Sequence, residues 1–220
     1  MLRLDPNKNN IILDLDGTLL DSRQRHIVVL TECVNQINAT TFTPEDFFDF
    51  VSYKSEGNNG LSYLKDKKIP NGEAIISLWI KKIEYNKYLR LDRLYPDILH
   101  DLKIMGDRYN LFLLTARSKK SNTFWQLSEL GLGNFFCKMI VVKNTGNVGL
   151  NKYRAIQSIH FDFIIGDTET DFALAKYTRC GFFPLNYGFR SSQYWNNNGL
   201  KSYSSFKELF ESDLSYLKVF

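Results

Sequence analysis

The chain has 220 residues, 44% hydrophobic and 24% charged, with 28 Lys and Arg against 24 Asp and Glu for a formal charge of +4. That composition belongs to an ordinary soluble globular protein, long enough for one large domain or for a core with a modest insertion. The mild positive balance is mixed along the chain, so it favours anionic ligands weakly, provides no basic stripe for nucleic acid, and none is expected as a partner. No stretch approaches the roughly 18 apolar residues of a membrane span. The opening MLRLDPNKNN is polar and lacks the apolar core of a signal peptide. Cys33, Cys137 and Cys180 are odd in number and far apart, which fits reduced thiols better than a disulfide framework. A cytoplasmic monomer or homodimer without a membrane partner is the expectation.

The chain is organised around IILDLDGTLLDS at residues 11–22. Ile11, Ile12 and Leu13 predict a short buried parallel strand. It ends on Asp14 and Asp16, and Gly17-Thr18 breaks the strand, so both carboxylates fall at its carboxyl end, where open α/β sheets bind their ligands. Two acids converging with backbone oxygens can hold a hard cation such as Mg²⁺, and an ionised Asp beside that cation can attack a phosphoryl group.

Residues 22–94 carry no parallel-strand signal. Arg23 to Asn38 predicts an amphipathic helix with Ile27, Leu30, Val34 and Ile37 on one face. Thr43 as N-cap, Pro44 at the first position and the acids Glu45 and Asp46 start another. Helices are expected over 44–53, 60–66 and 73–89, with SYKSEGNNG (52–60) as a polar, glycine-punctuated loop. From Tyr95-Pro96 onward, strands and helices alternate. Ile98, Leu99 and Leu102 mark a helix, and YNLFLLTAR (109–117) a second buried strand. A helix over 122–130 stops at Gly131. CKMIVV (137–142) is the third strand, followed by a helix over 150–159. FDFIIGD (161–167) is a fourth strand ending on an acid, 171–178 a helix, and GFFPLNYG (181–188) a fifth strand. Two last helices are expected over 190–198 and 205–211. Such alternation implies right-handed crossovers and a parallel sheet covered on both faces.

DLDGTLLDS resembles the first motif of the haloacid dehalogenase-like superfamily, most of whose members are Mg²⁺-dependent phosphatases, and the remaining motifs follow in order. The resemblance implies an α/β fold with a Rossmann-like parallel sheet core (1–21 and 95–220) and an inserted small α-helical cap (22–94), as in phosphoglycolate phosphatases. By the same resemblance Asp14 is the nucleophile that forms an aspartyl-phosphate. Asp16 is the general acid/base, protonated in the first step. Thr115 closes the second strand, where its hydroxyl and the N–H of Ala116 donate to phosphoryl oxygens. GDTETD supplies Asp167 to the Mg²⁺ site, with Asp14 and the Asp16 carbonyl, and places Asp171 nearby at a helix start. The catalytic lysine is Lys152 or Lys143. Lys152 is favoured because the family's lysine often opens this helix.

Specificity is expected from the cap. Lys54, with Asn58, Asn59 and Glu56 nearby, lies on the expected loop, Glu56 reading as a surface charge. Arg23 and His26 follow the first motif and can line an entrance, and Arg117 is a further anion-binding candidate. The expected activity is hydrolysis of a small phosphorylated metabolite. A phosphomutase of the β-phosphoglucomutase type and a non-catalytic binding protein that keeps the fold are the alternatives.

Overall fold

The computed structural model describes residues 2–214. Met1 and residues 215–220, at the outer ends of the two expected core segments, lie outside the described residues. β1 (Asn10–Leu13) is followed by a tight turn in which the N–H groups of Leu19 and Leu20 donate to the Leu15 carbonyl (2.9 and 3.0 Å). Then come β2 (Leu20–Asp21), α1 (Arg23–Asn38), a 3-10 turn at Pro44–Phe47, α2 (Phe50–Ser55), α3 (Gly60–Asp66), α4 (Gly72–Lys82), α5 (Asn86–Leu89) and β3 (Arg93–Leu94). The chain continues through α6 (Ile98–Arg108), β4 (Asn110–Ala116), α7 (Lys120–Glu129), β5 (Lys138–Val142), α8 (Val148–Ile156), β6 (Phe163–Gly166), α9 (Glu169–Thr178), β7 (Gly181–Pro184), α10 (Ser192–Asn197) and α11 (Phe206–Leu209).

Five strands form one parallel sheet in the order β5-β4-β1-β6-β7. β1 lies at its centre, and Leu13 is paired with Leu113 on one side and Ile165 on the other. Asp14, Thr115 and Asp167 therefore emerge within two residues of one line across the sheet, all at its carboxyl edge.

Alternation along the strands feeds two cores. Ile11, Leu13, Leu111, Leu113 and Ile165 face α6, α7 and α11, where they meet Leu102, Met105, Leu127 and Phe206. Ile12, Phe112, Leu114 and Ile164 face α8 and α9 and meet Ile156 and Leu174. β1 is buried on both sides, which is why it reads as a continuous apolar run.

The helices between β2 and β3 bury a third core of their own, with Leu30, Val34, Phe47, Phe50, Tyr63, Leu64 and Ile75 among its members. α1 has the expected bounds, but its buried face runs through Val29, Leu30, Cys33 and Val34, while Ile27 and Ile37 are only partly covered. Four details differ from the sequence reading. Residues 44–53 are not one helix, because a 3-10 turn and α2 replace it, and the 52–60 loop shrinks to Glu56–Asn59. The single helix expected over 73–89 is broken after Lys82. There Glu84 turns inward and accepts the backbone N–H groups of Ser118 and Lys119 at 2.9 and 2.6 Å, a tertiary bond that outweighs helix continuation. Finally, β2 and β3 pair antiparallel, Leu20 with Leu94 and Asp21 with Arg93, in a ribbon too short to leave a periodic signal. Among the described residues no helix is long and apolar enough to cross a membrane.

Leu113 is fully buried at the middle of β4, paired with Leu13 of the central strand. Leu113→Ala is expected to cost about 2–5 kcal/mol, read in urea as a lower midpoint with an unchanged slope.

Candidate functional site

The carboxyl edge of the sheet opens into a cavity of about 270 Å³ lined by Asp14, Asp16, Arg25, His26, Lys54, Thr115, Ala116, Arg117 and Lys152, among others. That is at the small end of ligand cavities, roughly 300–1,000 Å³.

Lys152 projects from α8 and is buried with its ammonium between two carboxylates, 2.7 Å from Asp14 and 2.6 Å from Asp171. Lys143, by contrast, is exposed beyond the end of β5, and its carbonyl accepts the Asn151 side chain at 3.2 Å. Of the two lysines, it is Lys152 that the structure places at this acidic cluster. Burial alone would discharge an amine, but the two carboxylates outweigh it and hold Lys152 protonated. Asp171 also closes the start of α9, accepting the Thr168 hydroxyl at 2.8 Å and the Thr168 N–H at 3.2 Å.

Asp167 completes the acidic group. Its carboxylate accepts the Phe189 N–H at 2.6 Å and the Thr18 hydroxyl at 3.3 Å. Two glycines make room for it. A Cβ on Gly17, which has φ +82°, would stand 2.0 Å from Asp167 Oδ2, and one on Gly188 would stand 2.3 Å away. Oxygens of Asp14, Asp167 and Asp171 lie within 4.8 Å of one another, all three residues buried. Burial, with the neighbouring acids, pushes Asp167 well above the carboxylate range. Burial likewise raises Asp14 to about 7, against the pull of Lys152. Three buried carboxylates facing one ammonium are short of positive charge, and their hard oxygen donors fit a small divalent cation.

Asp16 points the other way. Arg117, just past β4, grips it through Nε and Nη2 at 2.8 and 2.7 Å, and Arg25 of α1 donates to the same carboxylate. Behind them lies a buried support. Arg25 Nε is 3.1 Å from Asp92 Oδ1, and Gln126 donates to Asp92 Oδ2 at 2.8 Å while accepting from Arg117 at 2.6 Å. Burial works to raise Asp16, but the two guanidiniums outweigh it and hold the carboxyl well below its usual range. The protonated Asp16 expected from the resemblance is therefore not the state that these contacts favour. Asp92, with burial dominant, is pushed up to about 6.

The wall opposite the sheet carries Lys54 and His26. Lys54 belongs to α2 and not to a loop. Its ammonium lies 3.2 Å from His26 Nδ1 and 4.3 Å from the centre of the Phe189 ring, and among the described residues it makes no ion pair. Burial and the nearby Arg190 bring it down to about 8. Burial and Lys54 push His26 well below its usual value, so the ring is neutral. Arg190 is spent on Glu169 at 2.7 Å and on the Lys54 carbonyl at 2.9 Å.

Two expected residues lie elsewhere. Arg23 is half-exposed, pairs with Asp21 and lines a separate groove of about 980 Å³. Asn58 is exposed and donates to the Tyr53 carbonyl at 3.1 Å, while Asn59 caps α3. Each follows local chain geometry: Asp21 is two residues from Arg23 and captures it, and the short turn after α2 bends Asn58 back onto its own helix. Arg25, Glu84, Asp92, Gln126, Phe189 and Arg190 were not anticipated. Arg25 had a readable sign, since Arg25, Val29 and Cys33 at spacing four place an arginine on the buried face of α1. The others come together only in the folded chain.

The raised acids set a testable balance. A carboxyl whose folded pKa lies above its unfolded value contributes stability that is present below the unfolded pKa and lost as pH rises through the folded one. For Asp14 that window runs from 3.8 to about 7. In chelator, Tm is expected to fall between pH 5 and pH 8 through these groups. Added Mg²⁺ is expected to raise Tm more at pH 8 than at pH 5, with Asp167→Asn removing most of the difference in thermal-melt titrations.

The chain's family model match, to the haloacid dehalogenase-like hydrolases, covers residues 11–183. No curated protein matches it in sequence. Among solved structures it is similar to a predicted phosphatase from Clostridium acetobutylicum (TM-score 0.70, 20% identity, 94% of this chain and 99% of that one). It is also similar to a haloacid dehalogenase-like hydrolase from Streptococcus pneumoniae (0.66, 18%, 94% and 99%). A third is a predicted phosphoglycolate phosphatase from Haemophilus somnus (0.68, 17%, 93% and 97%). At these identities the likeness is one of fold. The family match spans both the Asp14 strand and the Lys152–Asp167–Asp171 cluster, and the chain is a member of the haloacid dehalogenase-like hydrolase family.

Proposed function

We propose that the protein is a phosphatase of small phosphorylated metabolites that works through an aspartyl-phosphate on Asp14. The observation that carries this is a cavity at the sheet edge lined by Asp14, Thr115 and Lys152, with Asp167 and Asp171 clustered behind it against Asp14 and Lys152. Family membership and the names of the structural relatives support it. The helices from 22 to 94 serve as the cap. Lys54 and His26 on them line the wall of the cavity opposite the sheet edge. The unpaired thiols of Cys33, Cys137 and Cys180 suit a reducing, cytoplasmic setting.

Asp14 has one oxygen on Lys152. Its attack forms an O–P bond as the ester O–P bond breaks, and the leaving oxygen takes a proton. Water then attacks phosphorus, regenerating the Asp14 carboxylate and releasing inorganic phosphate, so that one difficult displacement becomes two easier ones. Thr115 and the Ala116 N–H donate to the non-reacting phosphoryl oxygens, and Lys152 offsets their charge. Mg²⁺, held by Asp14, Asp167 and the Asp16 carbonyl with Asp171 beside it, would supply the remaining neutralising charge. Asp16 exchanges protons with the leaving oxygen and with water, for which its side chain must come away from Arg25 and Arg117.

Asp14→Asn keeps the shape and removes the nucleophilic charge. Turnover of a generic phosphate ester is expected to fall by about 10³-fold or more, with the circular dichroism spectrum unchanged and no phosphorylated Asp14 peptide after quenching. Near-normal turnover by the folded variant would defeat the covalent route.

Lys54 tests the cap. Losing one charge-assisted contact is worth about 1.5–3 kcal/mol, so Lys54→Ala is expected to lower kcat/KM for the physiological substrate roughly ten- to a hundredfold. Esters too small to reach α2 should be affected far less. Because its ammonium is brought down to about 8, KM of the unmodified protein should rise as the proton is lost above that pH. The variant should lack this alkaline limb in a KM–pH profile.

A further inference from the structure

Among the described residues three buried side-chain polar atoms have no hydrogen-bond partner: Ser22 Oγ, Arg25 Nε and Asp92 Oδ1. The last two face each other. They stand 3.1 Å apart, within reach of a hydrogen bond yet without its alignment. Buried polar groups are satisfied almost everywhere in folded chains, so an open donor beside an open acceptor calls for a physical reason.

The two guanidiniums near Asp16 are held differently. Arg117 bonds Asp16 through Nε and Nη2 and Gln126 through Nη1. Arg25, only 2% exposed, makes its one hydrogen bond among the described residues to Asp16. When the Asp16 side chain turns toward the leaving oxygen, Arg117 keeps Gln126 and Arg25 keeps nothing. A buried charge stripped of its partner is strongly unfavourable, and that cost opposes the turn.

Asp92 is placed to remove it. Its side chain is wholly buried behind the arginines, and Oδ2 alone is engaged, by Gln126 at 2.8 Å. Glu84, the remaining acid nearby, already has its two oxygens on the backbone N–H groups of Ser118 and Lys119. Burial raises Asp92 against the pull of Arg25, and the Asp16 charge adds to the rise. Departure of that charge therefore favours the ionised Asp92 that a lone Arg25 needs.

Resting on the phosphatase reading, we propose that Asp92 is a positioning residue, which takes over Arg25 when Asp16 leaves it. A small turn of the guanidinium completes the bond from Nε to Asp92 Oδ1, and Asp16 is released without leaving a buried arginine unpaired. Asp16 then passes a proton to the leaving oxygen as the ester O–P bond breaks. It takes one back from the water that attacks the phosphorylated Asp14. Asp92 touches neither substrate nor water and acts through Arg25.

Two measurements test this, and the first needs no turnover. In NMR spectra of the guanidinium N–H groups, the Arg25 Nε–H resonance is expected to move downfield in Asp16→Ala protein, as the open donor finds Asp92. A resonance that stays in place overturns the proposal, whether or not an Asp92 variant folds. The second compares two esters in Asp92→Asn protein, which keeps the shape and loses the receiving charge. p-Nitrophenyl phosphate needs no proton on its leaving group, so phosphorylation of Asp14 should keep its rate while the later hydrolysis slows about tenfold or more. Its kcat and KM should fall together, with kcat/KM unchanged and phosphorylated Asp14 accumulating. For ethyl phosphate, whose leaving oxygen needs the proton, kcat/KM itself should fall about tenfold or more. Equal losses of kcat/KM on both esters, or no loss of kcat on either, overturn the role of Asp92. A downfield Arg25 resonance with no turnover of either ester by the unmodified protein upholds Asp92 as the acceptor and overturns the phosphatase reading instead.

Discussion

The Lys152 ammonium between Asp14 and Asp171 is the interaction on which the rest of the site depends. Burying carboxylates at the edge of a parallel sheet is costly, and an uncompensated charge left there costs several kcal/mol. A single buried ammonium offsets part of that burden and leaves the remainder unpaid at Asp167. The shortfall makes the acidic group a receptor for positive charge and not merely a folded salt-bridge cluster. It also ties α8 and α9 to the end of β1, so that the chemistry and the packing of one sheet face share the same atoms.

A second polar network sits one residue away and obeys the opposite arithmetic. Around Asp16 cations outnumber the acid in the first layer, and the carboxyl is held ionised by Arg117 and Arg25 against the effect of burial. Adjacent acids at positions 14 and 16 are thereby placed in contrasting environments by residues distant in sequence. Such divergence between neighbouring carboxyls is the usual physical basis for giving them separate tasks.

Much of this could be read before folding, and the reasons are specific. β1 and β4 are buried on both faces, so their apolar runs are unbroken, and the acids and threonine that follow them had to appear at the sheet edge. α1 had its exact bounds in its periodicity, since sixteen residues suffice to show a stripe. Lys152 could be preferred over Lys143 by its place in the order of motifs, and the fold supplies the contacts that sequence order lacked. What stayed hidden was whatever one residue does for another across the fold. Nothing local to Glu84 says that it will stop a helix to meet two N–H groups beyond β4. Asp92 and Gln126 look like surface residues until Arg25 and Arg117 arrive beside them. Polar side chains in a charged stretch carry no periodic signature, so a buried network made of them is legible only as geometry.

The two-residue ribbon of β2 and β3 has a wider meaning. Antiparallel partners hold their Cα atoms about 4.5–5.5 Å apart, so the helical insert leaves and rejoins the sheet through a single narrow gate. The loop-closure entropy of the long insertion is met there, by local pairing, and not by distorting β1 or β4. Mechanically the insert is a graft. Any helical unit whose ends meet at that spacing can be exchanged without shifting the register that places Asp14 and Thr115. Lineages of this architecture can thus change what the cavity admits while inheriting its reacting edge intact.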